Sequence, residues 1–205
     1  MRIAKVLIAG WLAGGTFIVL ISVLPGAQTV AKPLGQVAQA SGSQLPVGRG
    51  SSPAPGPIGP IVIPVLGITP TELRDNFEQV RGGGRIHHAL DIMAPRNTPV
   101  VAAVDGTVRK LFTSKGGGLT IYQFDRAEER VYYYAHLERY ADGIGEGLFV
   151  AQGTVIGYVG TSGNAAPDAP HLHFSVEVLP PTKEWWKGEP LNPYPLLTTR
   201  ASVLP

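Results

Sequence analysis

Polar and apolar positions alternate without a break over His171–Val178, which places Leu172, Phe174, Val176 and Val178 on one face and His171, His173, Ser175 and Glu177 on the other. This pattern predicts a half-buried strand whose polar face carries two imidazoles roughly 7 Å apart. Upstream, Val100–Val104 and Thr107–Phe112 flank Asp105-Gly106 and predict a hairpin with a two-residue turn. Leu119–Phe124 and Val131–Leu137 read as strands joined by the charged turn Asp125–Arg130, and Val155–Val159 is a strand between the turn signals Gln152-Gly153 and Thr161–Asn164. Ile61–Val65 is apolar, and its proline suggests an edge strand. Thr69-Pro70-Thr71-Glu72 has the capping-box pattern and opens a short helix to about Asn76. Many short strands with close turns and few helices predict a mainly β, compact antiparallel domain over residues 61–205, its core about 84–180.

The segment before this domain follows another pattern. Val6–Leu24 is a 19-residue run without a charge. As a helix it would span about 28 Å, close to the hydrocarbon core of a bilayer. Arg2 and Lys5 precede it, so residues 1–24 are expected to form a single-pass membrane anchor that sends the rest of the chain out of the cytoplasm, to the periplasmic side. A cleaved signal peptide, giving a secreted form, is the competing expectation. The small-x-small site Ala38-Gln39-Ala40 lies well beyond the apolar run, which favours the anchor. Residues 25–60 hold seven prolines and seven glycines, a composition expected of a disordered tether.

Charge removes one class of partner. Residues 61–205 carry all 15 acidic side chains against 13 Lys and Arg, so the formal +2 of the whole chain hides a domain at −2 with no electrostatic case for nucleic acid. The chain has no cysteine, which excludes disulfides, thiolate metal sites and cysteine nucleophiles.

The chemistry therefore falls to five histidines, His87, His88, His136, His171 and His173, all inside the β domain. His87 and Asp91 are four apart, a spacing that brings both side chains to one face in a strand and also in a helix. His136 ends Tyr132-Tyr133-Tyr134-Ala135-His136 and by alternation shares a face with Tyr132 and Tyr134, which makes Tyr134 a candidate groove wall. Imidazoles with one carboxylate suit zinc, and three protein ligands leave an open coordination position. Spacing alone leaves it open whether His171 and His173 both ligate or one ligates while the other moves protons.

Five blocks resemble the lysostaphin/LytM-type zinc endopeptidases: Arg85–Ile92, Ala94–Val108, Tyr134–Leu137, Gly153–Gly160 and Pro170–Phe174. The similarity runs from about Ile61 to Leu197, in the family's order and spacing. It implies a LytM/lysostaphin-like fold, related to biotinyl/lipoyl-like hybrid barrels, with one Zn2+ held by His87, Asp91 and His173. His136 and His171 are then the catalytic, non-ligand histidines, and peptidoglycan cross-link peptides the substrate. One departure is Ala89, where the family usually has glycine; ligand geometry survives the change unless that position needs a positive φ.

Other features carry plainer readings. His88 is expected to point away from the metal, the tyrosine run to pack within a strand, and Gly116–Gly118 to form a turn between strands. Trp185-Trp186 fits a substrate grip or an aromatic lid equally well. The expected function is zinc-dependent hydrolysis of peptidoglycan cross-links in cell-wall remodelling, with room for a regulatory protein partner. The alternative is a non-catalytic LytM-like activator of other wall hydrolases, which would need no open metal site. A biotinyl carrier is excluded because no lysine occupies the Asp105-Gly106 turn.

Overall fold

A computed structural model describes residues 55–199, together with the backbone of Ala9–Leu12 (β1) and Gly15–Ile18 (β2). β1 and β2 pair antiparallel with each other. These eight residues are thus strand where a membrane helix over 6–24 was expected; the rest of that run lies outside the described residues. So do the tether residues 25–54. Among the described residues no helix is long and apolar enough to cross a membrane.

The domain is one antiparallel sheet of nine short strands: β3 (Leu90–Met93), β4 (Pro99–Val101), β5 (Gly106–Ser114), β6 (Gly118–Asp125), β7 (Arg130–Tyr140), β8 (Phe149–Val150), β9 (Val155–Val159), β10 (His171–Val178) and β11 (Glu189–Leu191). β10 is central. One edge pairs with β7, and the other with β3 along its first half and β11 along its second. Leu172, Phe174 and Val176 are fully buried on one of its faces against Leu90, Ile92, Tyr132, Tyr134 and Leu137, so the polar face is turned outward by the same alternation that buries the apolar one.

Four elements differ from the sequence reading. Asp105-Gly106 makes no hairpin: β4 pairs with β9, while β5 pairs with β6 and β8. Gly106 is there for closeness, since a Cβ on it would lie 1.9 Å from the Phe124 carbonyl oxygen. Asp105 holds neighbouring backbone instead, accepting the Gln152 N–H at 2.8 Å. Ile61–Val65 runs beside β4 through Val62 N to Ala103 O (3.0 Å) and Val101 N to Pro64 O (3.0 Å), but it closes a single bridge, Val65 to Val100, rather than a strand. The capping box encloses only one 3-10 turn, Pro70–Glu72, in which Thr69 N donates to Glu72 Oε2 at 2.8 Å; Leu73 then turns extended to enter the core. A terminal helix α1, Pro193–Thr198, has no counterpart in the sequence reading and is capped by Asn192 Oδ1 on Tyr194 N. Residues 56–58 also lie on the domain, with Gly56 N donating to Glu129 Oε2 (2.8 Å) and Ile58 packed on the core.

Candidate metal centre and its groove

Asp91 and His173 are directly opposite in the β3–β10 ladder, so sheet register alone makes them neighbours. His87 joins them by another route. It precedes β3, and the chain bends at His88, whose φ is +54°, instead of alternating along a strand. His88 itself is exposed and packs on Phe77 (ring centroids 5.4 Å), away from the cluster as expected. Ala89 is fully buried and carries no positive φ, so the family's glycine is not needed there.

The result is a tight triangle: His87 Nε2 to Asp91 Oδ1 3.0 Å, His87 Nε2 to His173 Nδ1 3.0 Å, and His173 Nδ1 to Asp91 Oδ1 3.1 Å. One donor atom from each residue lies within 4.8 Å of the others. A tetrahedral ion with bonds of ~2.0–2.1 Å sets its donors roughly 3.3 Å apart, so the set fits zinc. His87 Nδ1 faces the Asn76 carbonyl at 3.0 Å, a contact that orients the ring, and Arg81 Nη2 lies 3.1 Å from His87 Nε2. Asn76 also accepts the Asp91 N–H on its side chain (3.2 Å), and Arg81 Nη2 pairs with the outer oxygen Oδ2 of Asp91. Burial works to raise the Asp91 carboxyl, but hydrogen bonds from His173 and His87 outweigh it and hold the group well below the usual carboxylate range.

His136 and His171 complete the cluster without joining the triangle. Their ring centroids are 5.0 Å apart, and His136 lies 5.6 Å from His173. Each Nδ1–H is fixed on a backbone carbonyl, His136 on Ser162 O and His171 on Ala169 O, both at 2.8 Å. Each Nε2 is thereby turned away from the backbone; that of His171 lies 3.7 Å from Asp91 Oδ1. Burial pulls the His136 pKa down to about 4, against the Ser162 hydrogen bond that raises it, so the ring is neutral at ordinary pH.

His136 reaches this position through a bulge, which corrects the alternation argument. Leu119 pairs with Leu137 but Ile121 pairs with Tyr134, so β7 carries one more residue than β6 across this interval, and His136 adopts φ +60°. Tyr134 consequently points into the core, where its hydroxyl donates to Gln123 Oε1 (2.7 Å) and accepts from Ala103 N (2.9 Å). Tyr133, not Tyr134, shares the groove with His136.

The sequence reading did not single out Asn76, Arg81, Ser162 or Ala169 as parts of this site. Ser162 and Ala169 act through backbone oxygen atoms, which leave no side-chain signature, Asn76 acts through both its carbonyl and its side chain, and Arg81 reaches in from a glycine-rich turn. Gly117 does more than turn the chain: its carbonyl accepts the His136 N–H at 2.8 Å. Trp185 packs on Tyr122 (ring centroids 4.5 Å), and Trp186 lines the groove, 57% exposed.

Known proteins give the arrangement a context. The sequence model of Peptidase family M23 matches residues 85–193. The L-Ala–D-Glu endopeptidase of Bacillus subtilis is 36% identical over 121 residues, 57% of this chain and 36% of that protein. The peptidoglycan DD-endopeptidase ShyC of Vibrio cholerae is 35% identical over 95 residues, 46% of this chain and 21% of that one. This chain thus spans little more than a third, at most, of the length of these relatives. Among solved structures, a putative glycyl-glycine endopeptidase lytM from Ruminococcus gnavus superposes with a TM-score of 0.53 at 32% identity, over 62% of this chain and 52% of that one. Lysostaphin from Staphylococcus simulans gives 0.51 at 26% identity, over 64% and 50%.

Proposed function

Because the chain belongs to peptidase family M23, we propose that the domain is a zinc-dependent endopeptidase hydrolysing the peptide cross-links of peptidoglycan. The observation that carries this reading is the triangle of three donor atoms with two further imidazoles beside it, each anchored through Nδ1 to a backbone carbonyl. The names of the relatives from Bacillus subtilis and Vibrio cholerae support the substrate class.

Held by His87, Asp91 and His173, zinc would supply Lewis-acid polarisation of a peptide carbonyl and would acidify water. The chain's own residues do the rest. Asn76 and Arg81 fix the orientation of His87 and Asp91. His136 and His171, anchored through Nδ1, each present an Nε2 that can take a proton from attacking water and pass it to the departing amine. Once protonated, either can donate to the tetrahedral oxyanion. We also propose, from the uncharged run 6–24 and the cations before it, that the domain works outside the cytoplasm. Fractionation of cells into cytoplasmic and exported material tests that placement.

The deciding experiment incubates zinc-loaded protein with purified sacculi and identifies the products by mass spectrometry. Release of uncross-linked muropeptides by the native protein, and none by His173→Ala, is the expected result. A protein that holds zinc and releases nothing would refute the enzymatic reading, and one that takes up no zinc would favour the activator.

A further inference from the structure

The groove continues past the histidines. Along the polar face of β10, Glu177 follows His173 by four residues, about 13 Å of strand, and lines the same groove of about 790 Å3 as Asp91, His171 and His173. Its carboxylate is half-buried, accepts the Ser175 hydroxyl at 2.9 Å and accepts the Gly188 N–H. Among the described residues none of the ion pairs includes it. His88 acts on it only through space, and burial raises its pKa. Around it the groove is aromatic: Tyr122, Tyr133 and Trp186 line the wall. Tyr122 packs on Tyr133 at 4.6 Å, and Trp185 joins Tyr122 to Trp186 at 4.5 and 5.1 Å.

A half-buried carboxylate that lacks a cation is costly, and one set among aromatic rings is matched in charge and shape to an ammonium group. From this we infer that Glu177, with Tyr122, Tyr133 and Trp186, forms a subsite for a primary ammonium of the substrate peptide, such as the free side-chain amine of a diamino acid within a few residues of the bond cleaved. A carboxylate is repelled there, and a neutral side chain leaves Glu177 without a counter-charge. Glu177 is a specificity residue, remote from the reacting atoms. The inference rests on the peptidase reading only for the identity of the ligand as a substrate.

The test separates binding from turnover. The full chain, kept metal-free with a chelator, is titrated calorimetrically with N-acetyl-Ala-Lys-D-Ala-D-Ala and with the same peptide acetylated on the lysine amine. The free-amine peptide should bind about tenfold tighter or more, as one charge-assisted contact provides. Glu177→Gln keeps one oxygen to accept the Gly188 N–H and an amide N–H that can donate to the Ser175 hydroxyl oxygen, so it should fold and bind the two peptides alike; Trp186→Ala should reduce the preference. Equal binding by the wild type, or a preference that survives in Glu177→Gln at an unchanged melting temperature, overturns the subsite. Amine preference without any release from sacculi would instead overturn the peptidase reading and leave the subsite standing.

Discussion

The four clustered histidines are held by separate contacts, His87 by Asn76 and Arg81, His136 and His171 by backbone carbonyls and His173 by its place in β10, so single substitutions should separate their roles. His173→Ala removes one corner of the triangle and should weaken zinc binding by at least about a hundredfold, read by competition with a chromogenic chelator. His136→Ala leaves the triangle whole; it should retain zinc and lose roughly 10²–10⁴ in turnover, the range of a lost proton-transfer group. Acid should also act through His136. Its pKa is depressed to about 4 in the folded chain against an ordinary 6.5, so the unfolded chain binds the proton more readily. Its contribution to stability is therefore complete above pH 6.5 and is lost as pH falls towards 4. Urea midpoints of the metal-free protein should drop across that window, and drop less in His136→Ala. At this scale two-residue periodicity alone puts His171 and His173 on one side of β10 whatever the fold around them, while the choice of His87, Asp91 and His173 as donors rests on the resemblance to the LytM-type enzymes. The means by which His87 joins was not legible, since a left-handed bend at His88 leaves no mark on an apolar pattern.

β6, β7, β9 and β10 lie where the sequence places strands, and for β10 the reason is its alternation, since a slip of one residue would expose Leu172, Phe174 and Val176. Two failures have physical causes of the same kind. The bulge at His136 shifts alternation by one within β7, and nothing in a strand's composition announces an extra residue. Asp105-Gly106 has hairpin chemistry, yet the glycine meets a backbone contact from β6 and the aspartate caps the 152 turn. Gly106→Ala is the direct check: the added methyl has no room beside Phe124 O, and the variant should lose about 2 kcal/mol or more of unfolding free energy in urea titrations. A true two-residue hairpin turn would tolerate alanine at much lower cost.

For the whole domain, zinc should act as a stabilising ligand without being required for folding. The core under β10 is apolar and continuous from Leu90 to Leu197, whereas the donors lie on its outer face. With zinc at about a thousand times its dissociation constant the gain is roughly 4 kcal/mol, enough to raise the melting temperature by on the order of 10 °C above the chelator-treated sample. A chelator-treated protein without a cooperative transition would contradict this order of construction. Because Asp91 and His173 are the two ends of one rung of a ladder that the backbone alone holds together, the chain could surrender a bound ion and be recharged while still native. On the proposed zinc-dependent reading, supply of metal from the surroundings would then act as a throttle on output, one that is reversible and calls for no new synthesis.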